Sequence, residues 1–143
     1  MLPTVSGEFG VVKDPEIRFT DNGSTWIKIR GAAKSRKRGP NGEWTDGDPL
    51  YIDIIVGNEG QGSKATNIAD SIAKGDTIIV TGNLKMREYE SNGQKRQDFQ
   101  ISADSIGVST RYGTAKTERM SSSTADANIA NAMEALGAEE VPF

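Results

Sequence analysis

The stretch Thr77–Ile106, TIIVTGNLKMREYESNGQKRQDFQISADSI, decides the fold of this chain. At its centre, Asn92-Gly93 separates two segments in which apolar and polar residues alternate. This pattern is the strongest local signal for a β-hairpin, because a two-residue type I′ turn requires positive φ at both central positions. The stretch therefore predicts two antiparallel strands joined by a two-residue loop.

Counting outward from the turn predicts the register of these two strands. The expected facing pairs are Ser91 with Gln94, Glu90 with Lys95, Tyr89 with Arg96, Arg87 with Asp98, Met86 with Phe99 and Leu84 with Ile101. In this register the apolar pairs share one face, and a shift of one residue would destroy that sorting. We therefore expect a ribbon with one buried and one exposed face.

The predicted exposed face carries Lys85, Arg87 and Tyr89 on one strand, with Arg96 opposite Tyr89. Two cations spaced two residues apart and followed by an aromatic ring suit a phosphate backbone with a base stacked on the ring. Exposed strand faces often carry the same residue types, however, and Arg87 with Asp98 is also explained as a cross-strand pair. The ribbon alone favours a solvated face over a nucleic-acid site.

Composition excludes several classes of function. The 143 residues suit one domain with room for a tail, and they include no cysteine and no histidine. Disulfides, Cys/His zinc sites and His-dependent catalysis are therefore excluded, and we find no nucleophile–base pair, metal cluster or phosphate loop. We expect no enzyme activity and no cofactor. Because no apolar run has membrane-spanning length and the N-terminus lacks a signal-peptide pattern, we expect a cytoplasmic protein without a membrane partner.

Charge is distributed unevenly along the chain, whose net charge is −3. Residues 1–112 hold 15 Lys and Arg against 15 Asp and Glu, whereas residues 113–143 hold 2 against 5. The acidic excess thus lies entirely in the C-terminal part, while the cations of the first part are clustered. Because the local field decides binding, the net charge does not exclude a polyanionic ligand.

Three further strands and one helix are predicted before the hairpin. Alternation predicts strands at 4–12, 26–33 and 50–56, a turn-rich segment at 13–24, an irregular loop at 34–48, and a helix at 64–74 ended by Gly75. Five strands with one helix between the third and the fourth predict an all-β OB-fold, a five-stranded Greek-key barrel that binds oligonucleotides on one face. A small SH3-like barrel is the nearest alternative, but it has no place for the helix.

The two middle strands repeat the sorting seen in the hairpin. Ile27 and Ile29 point one way, and Trp26, Lys28 and Arg30 point the other. Ile52, Ile54 and Val56 share one face, and Tyr51, Asp53 and Ile55 share the other. Cations and aromatic rings again lie together on the side away from the core. Asp53 and Asp98 are isolated among basic or apolar residues and are interpreted as ion-pair partners.

The predicted loop at 34–48 contains the densest basic cluster in the chain: Lys34, Arg36, Lys37 and Arg38. A solvated loop explains this cluster as well as phosphate binding does. Trp44 in the same loop is either a hydrophobic plug or an exposed stacking ring.

Residues 113–138 are rich in Ser, Thr, Ala and Asn, and this composition predicts a flexible linker. They precede the terminal residues Glu139, Glu140, Val141, Pro142 and Phe143.

The chain resembles the bacterial single-stranded DNA-binding proteins of actinobacteria or their phages, and residues 109–116 are similar to the end of the domain in actinobacterial members. The segment Asp14–Phe19 followed by Asn22-Gly23 is similar to the family's DPEVRY…NG, and Gly42-Glu43-Trp44 precedes the third strand as in the family. The segments 69–75 and 109–116 match in order and spacing. The ending Glu-Glu-Val-Pro-Phe resembles the acidic tip through which these proteins recruit replication and repair enzymes.

The resemblance implies an OB-fold homotetramer that wraps single-stranded DNA with little sequence preference. It places stacking rings at Tyr51 and Tyr89, whereas Gly57 and Lys37 stand where the family has further rings. Fewer rings and more loop cations imply strongly salt-dependent binding. It also implies a location in the bacterial nucleoid or, because a chain this short suits a phage, in the cytoplasm of a phage host.

These observations predict a DNA-binding domain at 1–112, a linker at 113–138 and a partner-binding tip at 139–143. The residues predicted to contact single-stranded DNA are Trp26, Lys28, Arg30, Lys34, Arg36, Lys37, Arg38, Trp44, Tyr51, Lys85, Arg87, Tyr89 and Arg96. Two alternatives remain open: a protein-interaction adaptor in which nucleic-acid contact is incidental, and an RNA-binding OB domain of cold-shock type.

Overall fold

The computed structural model describes residues 1–58 and 63–119. Its elements are β1 (Thr4–Val11), β2 (Glu16–Phe19), β3 (Thr25–Arg38), β4 (Trp44–Gly57), α1 (Lys64–Ser71), β5 (Thr77–Ser91) and β6 (Gln94–Val108). Residues 113–119 of the predicted linker contain no helix or strand. The remainder of the linker and the predicted tip at 139–143 lie outside the described residues.

The hairpin predicted from Asn92-Gly93 is present as β5 and β6. Asn92 has φ 54° and Gly93 has φ 78°, as a type I′ turn requires. All six predicted pairs are observed, from Ser91 opposite Gln94 at the turn to Leu84 opposite Ile101 near the barrel. The prediction of the register is therefore confirmed.

The strands close into a barrel. The order in the sheet is β1-β5-β6-β4-β3-β2, and a further pairing between β1 and β3 joins Gly10 to Ala32 and Val11 to Gly31. The pairing of β4 with β6 is parallel and runs from Asp53 opposite Gln100 to Ile55 opposite Ser102. The predicted five-stranded OB-fold barrel is confirmed, with α1 between the third and fourth long strands and β2 as an additional short strand.

Most of the barrel interior is filled by β-branched residues, among them Ile27, Ile29 and Ile54, which the alternation placed on one face of their strands. The largest side chains with less than 2% exposure among the described residues are Ile27, Ile29, Ile54, Ile78, Ile101 and Val80. The helix α1 adds Ala65 and Ile68 to this core, and the Ala65 amide donates a 2.6 Å hydrogen bond to Asn58 Oδ1. This core holds the outward-facing side chains of β3 and β4 in fixed positions.

The prediction of an irregular loop at 34–48 is wrong. Strand β3 continues to Arg38 and β4 begins at Trp44, so the segment is a hairpin that extends the barrel strands. A β-bulge between Lys34 and Arg36 accommodates the one extra residue of β4. The turn signals at Gly-Pro and Asn-Gly act only at the tip, where Gly42 has φ 79° and its amide donates to the Gly39 carbonyl.

Two smaller boundaries also differ from the sequence prediction. Within the turn-rich segment 13–24, residues Glu16–Phe19 form β2 and pair with β3, because the turn at Asn22-Gly23 closes a third hairpin. The helix ends at Ser71, with Ile72 already extended, so Gly75 is not its C-cap. Gly75 instead has φ 95° in the connection to β5, and its amide donates to the Val11 carbonyl.

The apolar face of the β5–β6 hairpin is only partly buried. Ile101 is 1% exposed and Leu84 packs against the core, as expected. Met86 and Phe99 face each other on the same side but are 53% and 49% exposed. The prediction of a half-buried ribbon therefore fails beyond Leu84, because the hairpin extends past the end of the barrel core.

Candidate nucleic-acid interface

The outward faces of β3 and β4 combine into one surface at the centre of the candidate site. Directly opposite pairs in an antiparallel sheet point to the same face, and Arg30 stands opposite Asp53 while Lys28 stands opposite Ile55. Across the parallel pairing, Asp53 stands beside Gln100 of β6, which in turn stands opposite Lys85 of β5. Predicted site residues of β3 and β5 thus lie on one continuous face, together with side chains of β4 and β6.

Asp53 organises the charges in the middle of this surface. The residue is 6% exposed, and its Oδ1 accepts a hydrogen bond from Arg30 Nη1 at 3.0 Å. Lys28 Nζ lies 3.7 Å from Asp53 Oδ2, and Arg30 Nη1 also lies 3.9 Å from Asp98 Oδ2. The interpretation of both aspartates as ion-pair partners agrees with this geometry. Two cations are therefore held in place, and part of their charge is neutralised.

Three of the predicted rings each lie beside a guanidinium group. Arg30 Cζ is 5.6 Å from the ring centroid of Tyr51, and Arg87 Cζ is 5.8 Å from the ring centroid of Tyr89. Arg38 is 6.0 Å from the ring of Trp44, its direct partner across the hairpin. These are cation–π distances, and each pair presents an aromatic surface beside a positive charge.

The rings in these pairs are accessible to a ligand. Trp44 is 59% exposed, Tyr51 47% and Tyr89 37%. The alternative of Trp44 as a buried plug is therefore excluded. Trp26 is half-buried on the barrel face.

The remaining predicted cations lie on the two hairpins that extend from the barrel. Lys34, Arg36, Lys37 and Arg38 are exposed along β3, and Lys85, Arg87 and Arg96 are exposed along β5 and β6. The structure thus divides the predicted residues between a barrel face and two hairpins. It does not gather them in one enclosed pocket, as expected for a site that follows an extended chain.

Sequence reasoning missed two residues of this surface, Arg18 and Gln100. Together with Trp26, Lys28, Ile55 and Arg87 they line an open concavity of about 480 Å³. Arg18 of β2 stands directly opposite Trp26 of β3. Counting outward from Asn22-Gly23 as a two-residue loop would have paired Arg18 with Ile27 instead, because the observed loop between Thr20 and Ser24 has three residues. Gln100 reaches the surface through the parallel pairing of β4 with β6, for which the sequence contains no local signal.

Arg18 belongs to a short ion-pair chain at the edge of this concavity. Lys13 Nζ and Arg18 Nη2 each donate to a carboxylate oxygen of Glu16 at 2.9 Å. The hydrogen bond from Lys13, together with that from Arg18, lowers the pKa of Glu16 to about 2. Glu16 therefore stays ionised at neutral pH and holds the Arg18 side chain beside β2.

One expected stacking ring is absent from the surface. Gly57, where the resemblance implies an aromatic residue, stands directly opposite Trp26 on the neighbouring strand.

Within residues 1–58 and 63–119, no group of three or more acidic, His or Cys side chains is arranged to hold a metal ion. In the same part of the chain, no helix is both long and apolar enough to cross a membrane.

Comparison with known proteins identifies the family. Residues 8–109 match the family model described as the Single-strand binding protein family. The chain belongs to this family. It is 36% identical over 122 residues to the single-stranded DNA-binding protein of Mycolicibacterium smegmatis, covering 84% of this chain and 72% of that protein. The expected resemblance to actinobacterial members of the single-strand binding protein family is thereby confirmed.

Other relatives are longer than this chain. The single-stranded DNA-binding protein of Mycobacterium leprae is 38% identical over 112 residues, covering 77% of this chain and 64% of that protein. The chain spans 48% of the corresponding protein of Corynebacterium glutamicum, with 37% identity. The crystal structure of a small single-stranded DNA-binding protein from Streptomyces coelicolor matches with a TM-score of 0.68 and 28% identity, covering 78% of this chain and 98% of that one.

Proposed function

We propose that this chain binds single-stranded DNA without sequence preference and protects it during replication, recombination and repair. The observation that carries this proposal is the repeated pairing of an exposed ring with a guanidinium group, at Tyr51, Trp44 and Tyr89. Every base offers a π-face for stacking, and every nucleotide supplies a phosphate for a neighbouring cation. Such pairs therefore bind any sequence, provided that the bases are unpaired.

The names of the relatives and the charge distribution support the same function. Proteins called single-stranded DNA-binding protein share more than a third of their aligned residues with this chain. The predicted site cations of residues 1–112 lie on the barrel face and on its two hairpins, and such a local group of cations can attract phosphate although the net charge of the chain is −3. No catalytic step is required by this function, and we propose none.

Intrinsic fluorescence titration with oligothymidylate tests the proposal, with duplex DNA and an RNA oligomer of equal length as comparisons. We expect saturable quenching by the single strand only, and an affinity that falls linearly with log salt concentration. Equal weak binding to single strand and duplex would reject DNA binding in favour of the protein-interaction adaptor. Tighter binding to RNA than to DNA would favour the cold-shock type of domain.

We also propose that the chain acts as a homotetramer. The cross-strand pair Met86 and Phe99 is about half exposed in the single chain, and a partner subunit would remove it from water. Light scattering is expected to give a mass about four times the 15.4 kDa of one chain. A monomer at micromolar concentration would reject the tetramer and leave the DNA-binding proposal untouched.

The remaining sequence predictions complete the proposal. Residues 1–112 form the DNA-binding domain, 113–138 the linker, and Glu139–Phe143 a tip that recruits replication and repair proteins. The site of action is the bacterial cytoplasm, at the nucleoid, or the cytoplasm of a phage host. Affinity purification with the full chain and with a chain lacking the five terminal residues tests the tip, because only the full chain should retain such partners.

A further inference from the structure

Trp26 occupies a distinctive position in the sheet. It stands between Arg18 on β2 and Gly57 on β4, and the three residues form one row across the strands. A Cβ atom built at Gly57 would meet only Thr25 O and Trp26 Cβ, both at 3.9 Å. The side of the indole that faces β4 is therefore not covered by a side chain from the opposite residue.

The size and the lining residues of the concavity beside this ring suit a bound nucleotide. Its volume of about 480 Å³ lies within the range of small-ligand sites. Trp26 and Ile55 supply apolar walls, and Arg18, Lys28 and Arg87 supply three positive charges. A ligand that complements these groups has a flat aromatic part and a negatively charged part.

Gln100 adds a polar group to the same concavity. It lines the space and is 7% exposed, so its amide is held in the sheet rather than free in solvent. A side-chain amide both donates and accepts hydrogen bonds, as the edge of any nucleobase does. Because every base edge has at least one donor or acceptor, this contact does not demand a particular base.

We propose that this concavity is a nucleotide subsite for single-stranded DNA, in which one base stacks on Trp26 and the adjoining phosphate is bound by Arg18, Lys28 and Arg87. This inference rests on the proposed function and assigns a specific place to one nucleotide of the strand. Lys28 and Arg18 already contact Asp53 and Glu16 at 3.7 Å and 2.9 Å, so the phosphate shares these cations with the carboxylates.

The two tryptophans of the chain allow a direct test. In the Trp44→Phe variant, Trp26 is the sole tryptophan, and we expect oligothymidylate to quench its emission in step with the anisotropy of a labelled oligomer. Binding that is seen by anisotropy but leaves the emission of Trp26 unchanged would overturn the subsite. This variant leaves residue 26 intact, so its outcome does not depend on whether a substitution there folds.

Substitution of Trp26 itself supplies the second test. We expect Trp26→Ala to weaken oligothymidylate binding about 5- to 150-fold, and Trp26→Phe to stay within a few fold of the unsubstituted chain. Adding Gly57→Trp to Trp26→Ala should restore part of the loss, because residues 26 and 57 point to the same face. Circular dichroism of each variant verifies the fold.

The outcomes separate this inference from the proposed function. If the unsubstituted chain binds single-stranded DNA and Trp26→Ala binds within twofold of it, the subsite is wrong and the function stands. If the unsubstituted chain does not prefer single strands over duplex, the function itself is wrong, and the subsite falls with it.

Discussion

Asp53 shows how one residue sets the electrostatics of the barrel face. It is buried, and it contacts both Arg30 and Lys28, which are themselves only 31% and 25% exposed at their side chains. The carboxylate orders these two cations and also competes with any phosphate that approaches them. Asp53 therefore fixes the positions of the two cations, and we expect it to lower their affinity for phosphate.

Replacing Asp53 with Asn separates these two effects. We expect the free energy of unfolding to fall by about 1–3 kcal/mol, because a charged partner of a partly buried hydrogen bond is lost. We also expect tighter oligothymidylate binding at low salt and a steeper dependence on log salt, since two cations become available to phosphate. Thermal or urea unfolding and a salt titration measure the two quantities.

Asp104→Asn is the matched control for this prediction. Asp104 is an exposed carboxylate on the same strand as Gln100, and it borders a separate concavity beside α1 rather than the basic face. The same change in net charge should leave both stability and the salt dependence nearly unaltered. An Asp53→Asn variant that behaves like Asp104→Asn would show that Asp53 does not compete with phosphate.

Tyr89 carries a second prediction at the scale of one residue. Its ring is 37% exposed beside Arg87, and we expect Tyr89→Ala to weaken binding of single-stranded DNA by about 1–3 kcal/mol. Tyr89→Phe keeps the ring and should keep most of the affinity, and Tyr112→Ala removes an exposed ring beyond β6 as a control. Unchanged affinity in Tyr89→Ala, measured by anisotropy, would remove Tyr89 from the site.

At the scale of elements, the β5–β6 hairpin depends on a close approach of its two strands at Gly82. A bulge shifts the register between Thr81 and Gly82. A Cβ atom at position 82 would overlap the backbone of β6, since it would lie 2.7 Å from Ala103 Cα and even closer to the Ser102 carbonyl oxygen. Backbone cannot rotate away as a side chain can, so only glycine fits without a shift of the strands.

We therefore expect Gly82→Ala to lower the free energy of unfolding by about 1–3 kcal/mol, the usual cost of overpacking. Gly107→Ala on β6 is the control, because a Cβ atom there would have no neighbour within 4 Å. Urea unfolding of the two variants measures the difference. Equal stability of both variants would contradict the close approach at Gly82.

At the scale of the whole molecule, charge separates the described barrel from the C-terminal part of the sequence. Residues 1–112 are balanced in charge and residues 113–143 carry a net −3. We therefore expect the acidic part to compete with DNA for the cations of the barrel face, and salt to screen this competition.

Removing Glu139–Phe143 tests this competition. We expect the truncated chain to bind oligothymidylate as tightly as the full chain or more tightly, with the difference largest at low salt. The variant Glu139→Gln/Glu140→Gln controls for length, because it removes the charges and keeps the residues. A marked loss of affinity on truncation, measured by anisotropy, would show instead that these residues take part in DNA binding.

The sequence by itself determined the elements whose signals are local. Asn92-Gly93 specified both the turn and the register of β5 and β6, because only positive-φ residues fit that loop and each residue outward alternates in face. The same alternation assigned Ile27 and Ile29 to the core. The alternation could not show where the core ends. Met86 and Phe99 are exposed because no other element of the described chain packs on that part of the hairpin, and packing between elements is not visible in the alternation.

Only the tertiary structure decided which side chains share the site. The concavity at Trp26 combines Arg18 of β2, Arg87 of β5 and Gln100 of β6, strands that are distant in sequence and are joined by barrel closure. Likewise, the prediction of a loop at 34–48 failed because strand pairing across the hairpin outweighed the turn residues within it. Local propensity is read from neighbours along the chain, whereas closure depends on hydrogen bonds between distant segments, for which spacing along the sequence carries no signal.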